Sequence, residues 1–163
     1  MAGFHTKKFL QHDDYMTPYY AWENIKQYIP KKKIIWECFF GDGTSGKNLE
    51  KLGFEVIHEK IDFFKHNKGD ILVSNMPFSK KNEVFTRLLK LDKPFIMIAP
   101  SSTIHTQYIR NLFSRSKNKI QIIIPRKRIH FIKDGITKTN KCNFDCFYYC
   151  YKIGLKRDIT WLD

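Results

Sequence analysis

Residues 34–46 have the sequence IIWECFFGDGTSG, and this stretch decides the fold class. The apolar run at 34–39 predicts a buried strand. It leads into a turn that matches the pattern G-x-G-x-x-G through Gly41, Gly43 and Gly46. Glycine allows a tight turn and lets a ligand approach the backbone without meeting a Cβ atom. A helix is expected directly after the turn, so the stretch predicts a strand, a ligand-binding loop and a helix.

Strands and helices alternate on both sides of this stretch. Further strands are predicted at residues 54–58, 71–74, 95–99, 120–124 and 144–151. Helices are predicted from the Thr17-Pro18 pair, through about Leu52, after a Ser79 cap and along 104–112. The pattern predicts an α/β fold with a mostly parallel sheet, an antiparallel C-terminal strand and helices on both faces. Ligands of such sheets bind at the carboxyl ends of the strands, near the point where strand order reverses.

Length and composition restrict the class of protein. The chain has 163 residues and a mass of 19.5 kDa, which gives room for a single domain over residues 1–163. Hydrophobic residues make up 42% and aromatic residues 15%, which excludes disorder as the main state. No apolar run approaches the roughly 20 residues of a membrane span, and the first residues lack the apolar region of a secretory signal. We therefore expect an intracellular, cytoplasmic protein.

The charge balance points to a polyanionic partner. Lys and Arg number 29 against 16 Asp and Glu, a net charge of +13. Such a field favours nucleic acid, although charge that only aids solubility is the alternative. Basic residues are concentrated between Arg110 and Lys141, where Asp134 is the one acid. We predict nucleic-acid contacts on a basic connection, residues 125–143, through Arg126, Lys127, Arg128 and Lys133. A solvated charged loop is the alternative, and residues 1–13 form an N-terminal extension.

The cysteines and histidines do not suggest a metal site. Cys142, Cys146 and Cys150 have a C-x3-C-x3-C spacing, whereas zinc sites usually use closer pairs and a fourth ligand. On a strand these positions share one face, so we predict reduced core cysteines. The six histidines have no spacing typical of metal ligands.

Acidic residues follow the first two predicted strands. Glu37 lies at the end of the first strand, where a carboxylate can bind a cationic amino group. A pyrophosphate site would not favour that charge, although the glycine pattern alone also fits a dinucleotide. Glu59 ends the second strand and can accept hydrogen bonds from ribose hydroxyls. The Asp62-Phe63 pair follows, and a carboxylate beside an aromatic ring suits adenine.

With these residues in place, the chain resembles the class I S-adenosylmethionine-dependent adenine-N6 methyltransferases, especially the short phage and viral DNA types. The resemblance covers residues 14–151 and implies the single-domain, Rossmann-like fold of that class. Residues 14–18 are similar to the family's motif before the first helix, which contacts the methionine part of the cofactor. The contacts implied there belong to Tyr15, Thr17 and Pro18.

The resemblance also extends to the cofactor loop and the adenine contacts. The main cofactor loop of the family is similar to Glu37, Phe39, Gly41 and Gly43. Its ribose and adenine contacts are similar to Glu59, Asp62 and Phe63. The implied cofactor is S-adenosylmethionine.

Residues 75–78, NMPF, follow the short strand at 71–74 and resemble the family's Asn-Pro-Pro-aromatic motif, with Met in place of the first Pro. The exocyclic amine of adenine is a poor nucleophile, and acceptors aimed at its hydrogens stabilise the charge that develops on it. The resemblance gives this role to the side chain of Asn75 and the carbonyl of Met76, while Pro77 stiffens the loop and Phe78 stacks on the base. It implies methylation of adenine in DNA. The motif does not distinguish DNA from RNA, and a non-catalytic nucleic-acid-binding subunit is a further alternative.

Overall fold

A seven-stranded sheet crosses the part of the chain that this computed structural model describes, residues 15–117, 119–132 and 145–163. The predicted extension at 1–13, Lys133 and Cys142 lie outside the described residues. The strands are β1 (Ile35–Trp36), β2 (Val56–Ile57), β3 (Ile71–Asn75), β4 (Phe95–Pro100), β5 (Ile120–Ile124), β6 (Cys146–Tyr151) and β7 (Ile159–Trp161). The α-helices are α1 (Tyr19–Glu23), α2 (Thr44–Lys51), α3 (Lys81–Leu91) and α4 (Gln107–Phe113), with 3₁₀ turns at Lys26–Tyr28, Phe78–Lys80 and Ser101–His105.

The strand order is β2-β1-β3-β4-β6-β5-β7. The pairs β1–β2, β1–β3, β3–β4 and β5–β7 are parallel, and β6 is antiparallel to both β4 and β5. The predicted α/β class, with a mostly parallel sheet and an antiparallel strand near the C-terminus, is confirmed. After β1 the chain pairs first on one side with β2 and then on the other with β3. The strand order therefore reverses at β1, and a crevice is expected at the carboxyl ends of β1 and β3.

Helices cover both faces of the sheet, as predicted. One core contains Trp22 of α1 and Leu49 of α2, together with Val73 of β3. The other contains Phe85 of α3 and, from β3, the neighbouring Leu72. Successive strand residues point to opposite faces, so the continuous apolar strands serve both cores.

The first predicted helix begins later than its sequence indicated. Pro18 has extended backbone angles and occupies the N-cap position of α1. Thr17 does not cap the helix, since its hydroxyl is buried and has no partner among the described residues. The predicted cap at Ser79 is also wrong, because that residue lies inside the 3₁₀ turn before α3.

The cysteine prediction is confirmed for the described residues. Cys146 and Cys150 are buried on the same face of β6, and Cys38 is also buried. Within the described ranges no group of three or more His, Cys, Asp or Glu side chains is placed to hold a metal ion. No helix of that part of the chain is both long and apolar enough to cross a bilayer.

Candidate active site

The glycine loop carries the chain from β1 into α2. Gly43 has a φ of 85°, a left-handed conformation that favours glycine. Gly46 packs so closely on the ring of His58, beyond β2, that a Cβ atom would overlap it. Asp42 Oδ1 accepts a hydrogen bond of 2.9 Å from the backbone N–H of Thr44. A carboxylate therefore already occupies the first turn of α2, where a dinucleotide would place its pyrophosphate.

A cavity of about 480 Å³ lies at the carboxyl ends of β1 and β3, where the strand order reverses. Its size is typical of a small-molecule site. Ten of the residues selected from the sequence line it, from four separate stretches of the chain. They are Tyr15, Thr17, Phe39, Gly41, Asp62, Phe63, Asn75, Met76, Pro77 and Phe78.

Four predicted cofactor residues do not line the cavity. Pro18 lies at the start of α1, and Gly43 shapes the loop behind Gly41. Glu59 is exposed beyond the end of β2. Glu37 is buried directly before the lining residues that follow β1.

The Glu37 carboxyl group is 1% exposed. Its Oε1 atom accepts hydrogen bonds from the Ser74 hydroxyl and from the backbone N–H of Phe39, while Oε2 has no partner among the described residues. Burial raises the pKa of Glu37 to about 8, although both hydrogen bonds act in the opposite direction. Burial and the neighbouring carboxylate also raise the pKa of the Cys38 thiol well above its usual value. The site therefore contains an acid that is unusually easy to protonate.

Aromatic rings form one wall of the cavity. The Phe63 ring is buried against Phe39, at 4.9 Å between centroids, and against Trp36, at 5.8 Å. Phe64 meets Phe63 edge-on at 5.1 Å and is partly exposed. Arg87 of α3 holds this segment by donating to the carbonyl oxygen of Phe63, at 3.3 Å. Arg87 therefore holds this wall in place. Phe64, which was not predicted, forms part of the wall together with the predicted Phe63.

Residues 75–78 form a second wall of the cavity. The side-chain oxygen of Asn75 is buried and accepts no hydrogen bond from the described residues. The backbone N–H of Met76 donates to the Ile98 carbonyl at 3.4 Å, and the Met76 side chain is 2% exposed. Pro77 has a φ of −65° and leads into the 3₁₀ turn that carries Phe78. A cavity-lining residue at the end of β3 thus carries a buried acceptor without a partner among the described residues.

Residues 129–132 of the basic connection lie beside the stretch that precedes α1. Ile129 and Phe131 are buried in the core that contains α1. Met16 and Ile132 exchange backbone hydrogen bonds of 2.7 and 2.8 Å, so this segment pairs with the stretch that supplies Tyr15 and Thr17. The connection is therefore anchored beside the cavity.

The predicted nucleic-acid residues differ in their surroundings. Arg126 and Lys127 are exposed. Arg128 makes two hydrogen bonds to Asp145, from Nε at 2.7 Å and from Nη2 at 3.2 Å. Arg128 therefore braces two chain segments, a role that its position in a basic run did not indicate.

Comparison with known proteins finds a partial likeness. Over 91 residues the chain is 41% identical to the Type II methyltransferase M.EcoRI of Escherichia coli. The aligned region is 53% of this chain and 24% of that relative, so the chain spans about a quarter of the protein it matches. No protein-family model matches the chain. The likeness supports a methyltransferase and agrees with the Rossmann-like α/β sheet.

Several cavity residues were not selected from the sequence. Met16, Ser45, Ile61 and Lys80 line the cavity beside predicted neighbours. Ser45 belongs to the glycine pattern and Met16 to the stretch before α1, so both lay inside recognised motifs. Lys80 had no sequence signal, because it reaches the cavity only through the 3₁₀ turn after Phe78.

Proposed function

We propose that this chain is an S-adenosylmethionine-dependent methyltransferase that modifies the N6 amine of adenine in DNA. The observation that carries the proposal is Asn75, a cavity-lining residue whose buried side-chain oxygen has no partner among the described residues. A buried acceptor without a donor costs free energy, so its presence at a cavity favours a ligand that brings the donor. The amine of adenine is such a donor.

The described residues fit the cofactor. Thr17 contributes a second unfilled oxygen at the cavity, and Glu37 contributes a third just behind the lining. We assign the methionine part to Tyr15, Thr17, Pro18 and Glu37. When bound, S-adenosylmethionine supplies an electrophilic methyl group on its sulfonium.

The glycine loop and the aromatic wall are assigned to the rest of the cofactor. Phe39, Gly41 and Gly43 would shape the floor, and Asp62 and Phe63 would contact adenine. Glu59 is assigned to ribose. It is exposed and does not line the cavity, so the structure supports this assignment less than the others.

The wall formed by residues 75–78 is assigned to the target base. The side-chain oxygen of Asn75 and the carbonyl of Met76 would accept the two amine hydrogens and stabilise the positive charge that grows on nitrogen. Phe78 would stack on the base, and Pro77 limits the movement of the loop. The chain thus supplies orientation and electrostatic stabilisation, and the proton can pass to water after transfer.

DNA is the proposed substrate, and the cytoplasm of a cell, including a phage- or virus-infected one, is the proposed location. The net charge of +13 and exposed Arg126 and Lys127 support a polyanion, with Lys133 and Arg128 as further assigned contacts. An adenine within a duplex must leave the stack to reach the cavity. RNA offers the same amine and is the second candidate.

Labelled methyl transfer tests the proposal. The full chain is incubated with labelled S-adenosylmethionine and with DNA, RNA or both, and the methylated nucleosides are identified after digestion. We expect N6-methyladenine in DNA. Asn75→Ala should lower turnover about 10²-fold or more, the scale of one lost preorganised partner, while cofactor affinity is retained. Asn67→Ala, at an exposed position outside the cavity lining, is the matched control and should keep full turnover.

Other outcomes separate the alternatives. Methylation of RNA alone would replace the DNA assignment. Nucleic-acid binding without any transfer would indicate a non-catalytic subunit. Tight binding of NAD with no response to the methyl donor would overturn the proposal.

A further inference from the structure

Ser74 lies between the two halves of the candidate site. It is a fully buried residue of β3, directly before Asn75. Its hydroxyl crosses to the neighbouring strand and donates to Oε1 of Glu37, just after β1. β1 and β3 are the adjacent parallel strands at which the strand order reverses. One hydrogen bond therefore joins the strand end assigned to the cofactor to the strand end assigned to the base.

Each end of this hydrogen bond leads to a buried oxygen without a partner among the described residues. Oε2 of Glu37 and the side-chain oxygen of Asn75 are both buried without a partner among the described residues. Two such atoms beside one hydrogen bond cost free energy, because buried polar groups are nearly always paired. Ligands that fill both would recover that cost, and the Ser74 bond fixes the spacing between them.

We propose that Ser74 is a positioning residue, which holds the Glu37 carboxyl group against β3 and thereby sets its relation to Asn75. The inference rests on the proposed function, since it assigns Glu37 to the cationic end of the cofactor and Asn75 to the base.

The protonation of Glu37 makes the positioning role of Ser74 measurable. Burial raises the pKa of Glu37 to about 8, so the carboxyl group is protonated in the free chain near neutrality. A cationic amino group binds the ionised form, so cofactor binding should release the proton to solvent. The Ser74 hydroxyl donates to that ionised form and lowers the pKa, so it favours the state that binds.

Among the described residues no charged side chain contributes to the pKa shift of Glu37, although Asp62 and Lys80 line the neighbouring cavity. The adjacent Cys38 thiol is itself buried, and its raised pKa keeps it neutral. Beyond β2, His58 bonds to Glu50 at 2.8 Å, and Glu59 is exposed. β3 contributes only uncharged side chains. The pH dependence of cofactor binding should therefore report on Glu37.

Calorimetry with S-adenosylhomocysteine tests the role of Ser74. For the wild type we expect affinity to rise from about pH 6 and to level near the pKa of Glu37, with release of close to one proton at about pH 7 when two buffers are compared. Ser74→Ala should bind roughly tenfold more weakly at about pH 7, and its affinity should still be rising at about pH 8.5, because a hydrogen bond to the charged form is lost. Ser74→Thr keeps a hydroxyl and should restore the profile.

Val73→Ala is the matched control. Val73 is the preceding residue of β3, equally buried, and its truncation removes packing without touching Glu37. It should lower stability and leave the pH profile unchanged. If Ser74→Thr fails to fold in its tight surroundings, the comparison of Ser74→Ala with Val73→Ala still decides.

The coupling to Asn75 is measured separately. With saturating S-adenosylmethionine at about pH 8.5, single-turnover transfer by Ser74→Ala should still be roughly tenfold slower than in the wild type, since Asn75 loses its support. A wild-type pH profile in Ser74→Ala, or an equal shift in Val73→Ala, overturns the positioning role. A shifted profile with a wild-type transfer rate overturns the coupling to Asn75. Absence of binding by the wild-type chain overturns the proposed function and this inference with it.

Discussion

Phe78 and Phe131 meet edge to face, with ring centroids 6.2 Å apart and ring planes at 81°. Phe78 belongs to the wall assigned to the target base, and Phe131 is fully buried near the end of the described part of the basic connection. The two assigned functions, base capture and backbone binding, therefore share a packed contact. A change on one side of this contact should be felt on the other.

Replacing Phe131 by Leu should slow methyl transfer without weakening cofactor binding. The change removes an edge-to-face pair, worth about 0.5–1.5 kcal/mol beyond its buried area, and leaves Phe78 less constrained. Single-turnover rates with saturating cofactor measure the first effect, and calorimetry with S-adenosylhomocysteine measures the second. Phe113→Leu is the control, because it removes a similar contact with Phe85, at 6.2 Å and 89°, in the core on the other face. Equal rate losses in both variants would show a general loss of stability instead.

The exposed pair Arg126 and Lys127 should contribute to the salt dependence of DNA binding. Changing both to Ala should make the slope of log affinity against log salt shallower by up to about 1.8, or about 0.9 for each lost phosphate contact. Affinity should fall similarly for unrelated sequences, since phosphate contacts carry no sequence information. Fluorescence anisotropy with two duplexes over a salt series measures both quantities.

One matched control accompanies the basic pair, and Arg128 is changed separately. Lys31→Ala with Lys32→Ala removes the same charge before the amino end of β1, whereas the cavity lies at the carboxyl end, and should barely change the slope. Arg128→Ala should cost at most about 1 kcal/mol of stability, because its ion pair with Asp145 is exposed on both sides. If the Lys31, Lys32 variant changes the slope as much as the Arg126, Lys127 variant does, the basic connection has no special role.

Apolar runs were sufficient to predict the order of the strands as far as β6, because their side chains pack into the two cores. Their lengths were harder to predict. β1 and β2 contain two residues each, since the chain leaves the ladder after Trp36 to form the glycine loop. β7 was missed because Ile159 and Trp161 are exposed, at 48% and 72%, and no apolar pattern indicates a short edge strand.

The sequence predicted which residues line the cavity better than it predicted the burial and the ion pairs of the functional residues. The sequence places Glu37 after a strand, but it does not show that folding removes the carboxyl group from water. The basic run suggested four equivalent cations, whereas Arg128 is paired with Asp145, 17 residues away. Such ion pairs depend on how distant segments of the chain pack together, which the local sequence does not indicate.

Met76 departs from the family pattern, and the structure argues against restoring the proline. Met76→Pro removes the backbone N–H that donates to Ile98, so it should lower both stability and transfer. Met76→Leu keeps that N–H and nearly the same volume in a buried site, so its stability cost should stay below about 1.5 kcal/mol. Urea unfolding and single-turnover transfer, measured on both variants, give the comparison. A proline variant at least as stable and active as the leucine variant would contradict the role given to this hydrogen bond.

Glu37→Gln should stabilise the chain increasingly as the pH rises from about 5 to about 8. In the wild type the folded carboxyl group holds its proton up to a pKa of about 8, whereas in the unfolded chain it ionises near its ordinary value. Between these values the folded chain binds more protons, so wild-type stability falls with rising pH, by up to about 1.4 kcal/mol per unit. Above the pKa of the folded state, wild-type stability falls no further with pH. Glutamine does not ionise, so the Glu37→Gln protein does not lose stability in this way.

Urea unfolding of both proteins at several pH values measures the difference, with Glu59→Gln as a matched change at an exposed site. The Glu37→Gln advantage should grow with pH and should exceed any change produced at the exposed site. The same Glu37→Gln protein should bind S-adenosylhomocysteine weakly at every pH, because a neutral amide cannot ionise to meet a cationic amino group. Gain of stability with loss of binding is the pattern expected where a buried acid is kept for function. A constant stability difference across this range would mean that Glu37 ionises normally in the folded chain.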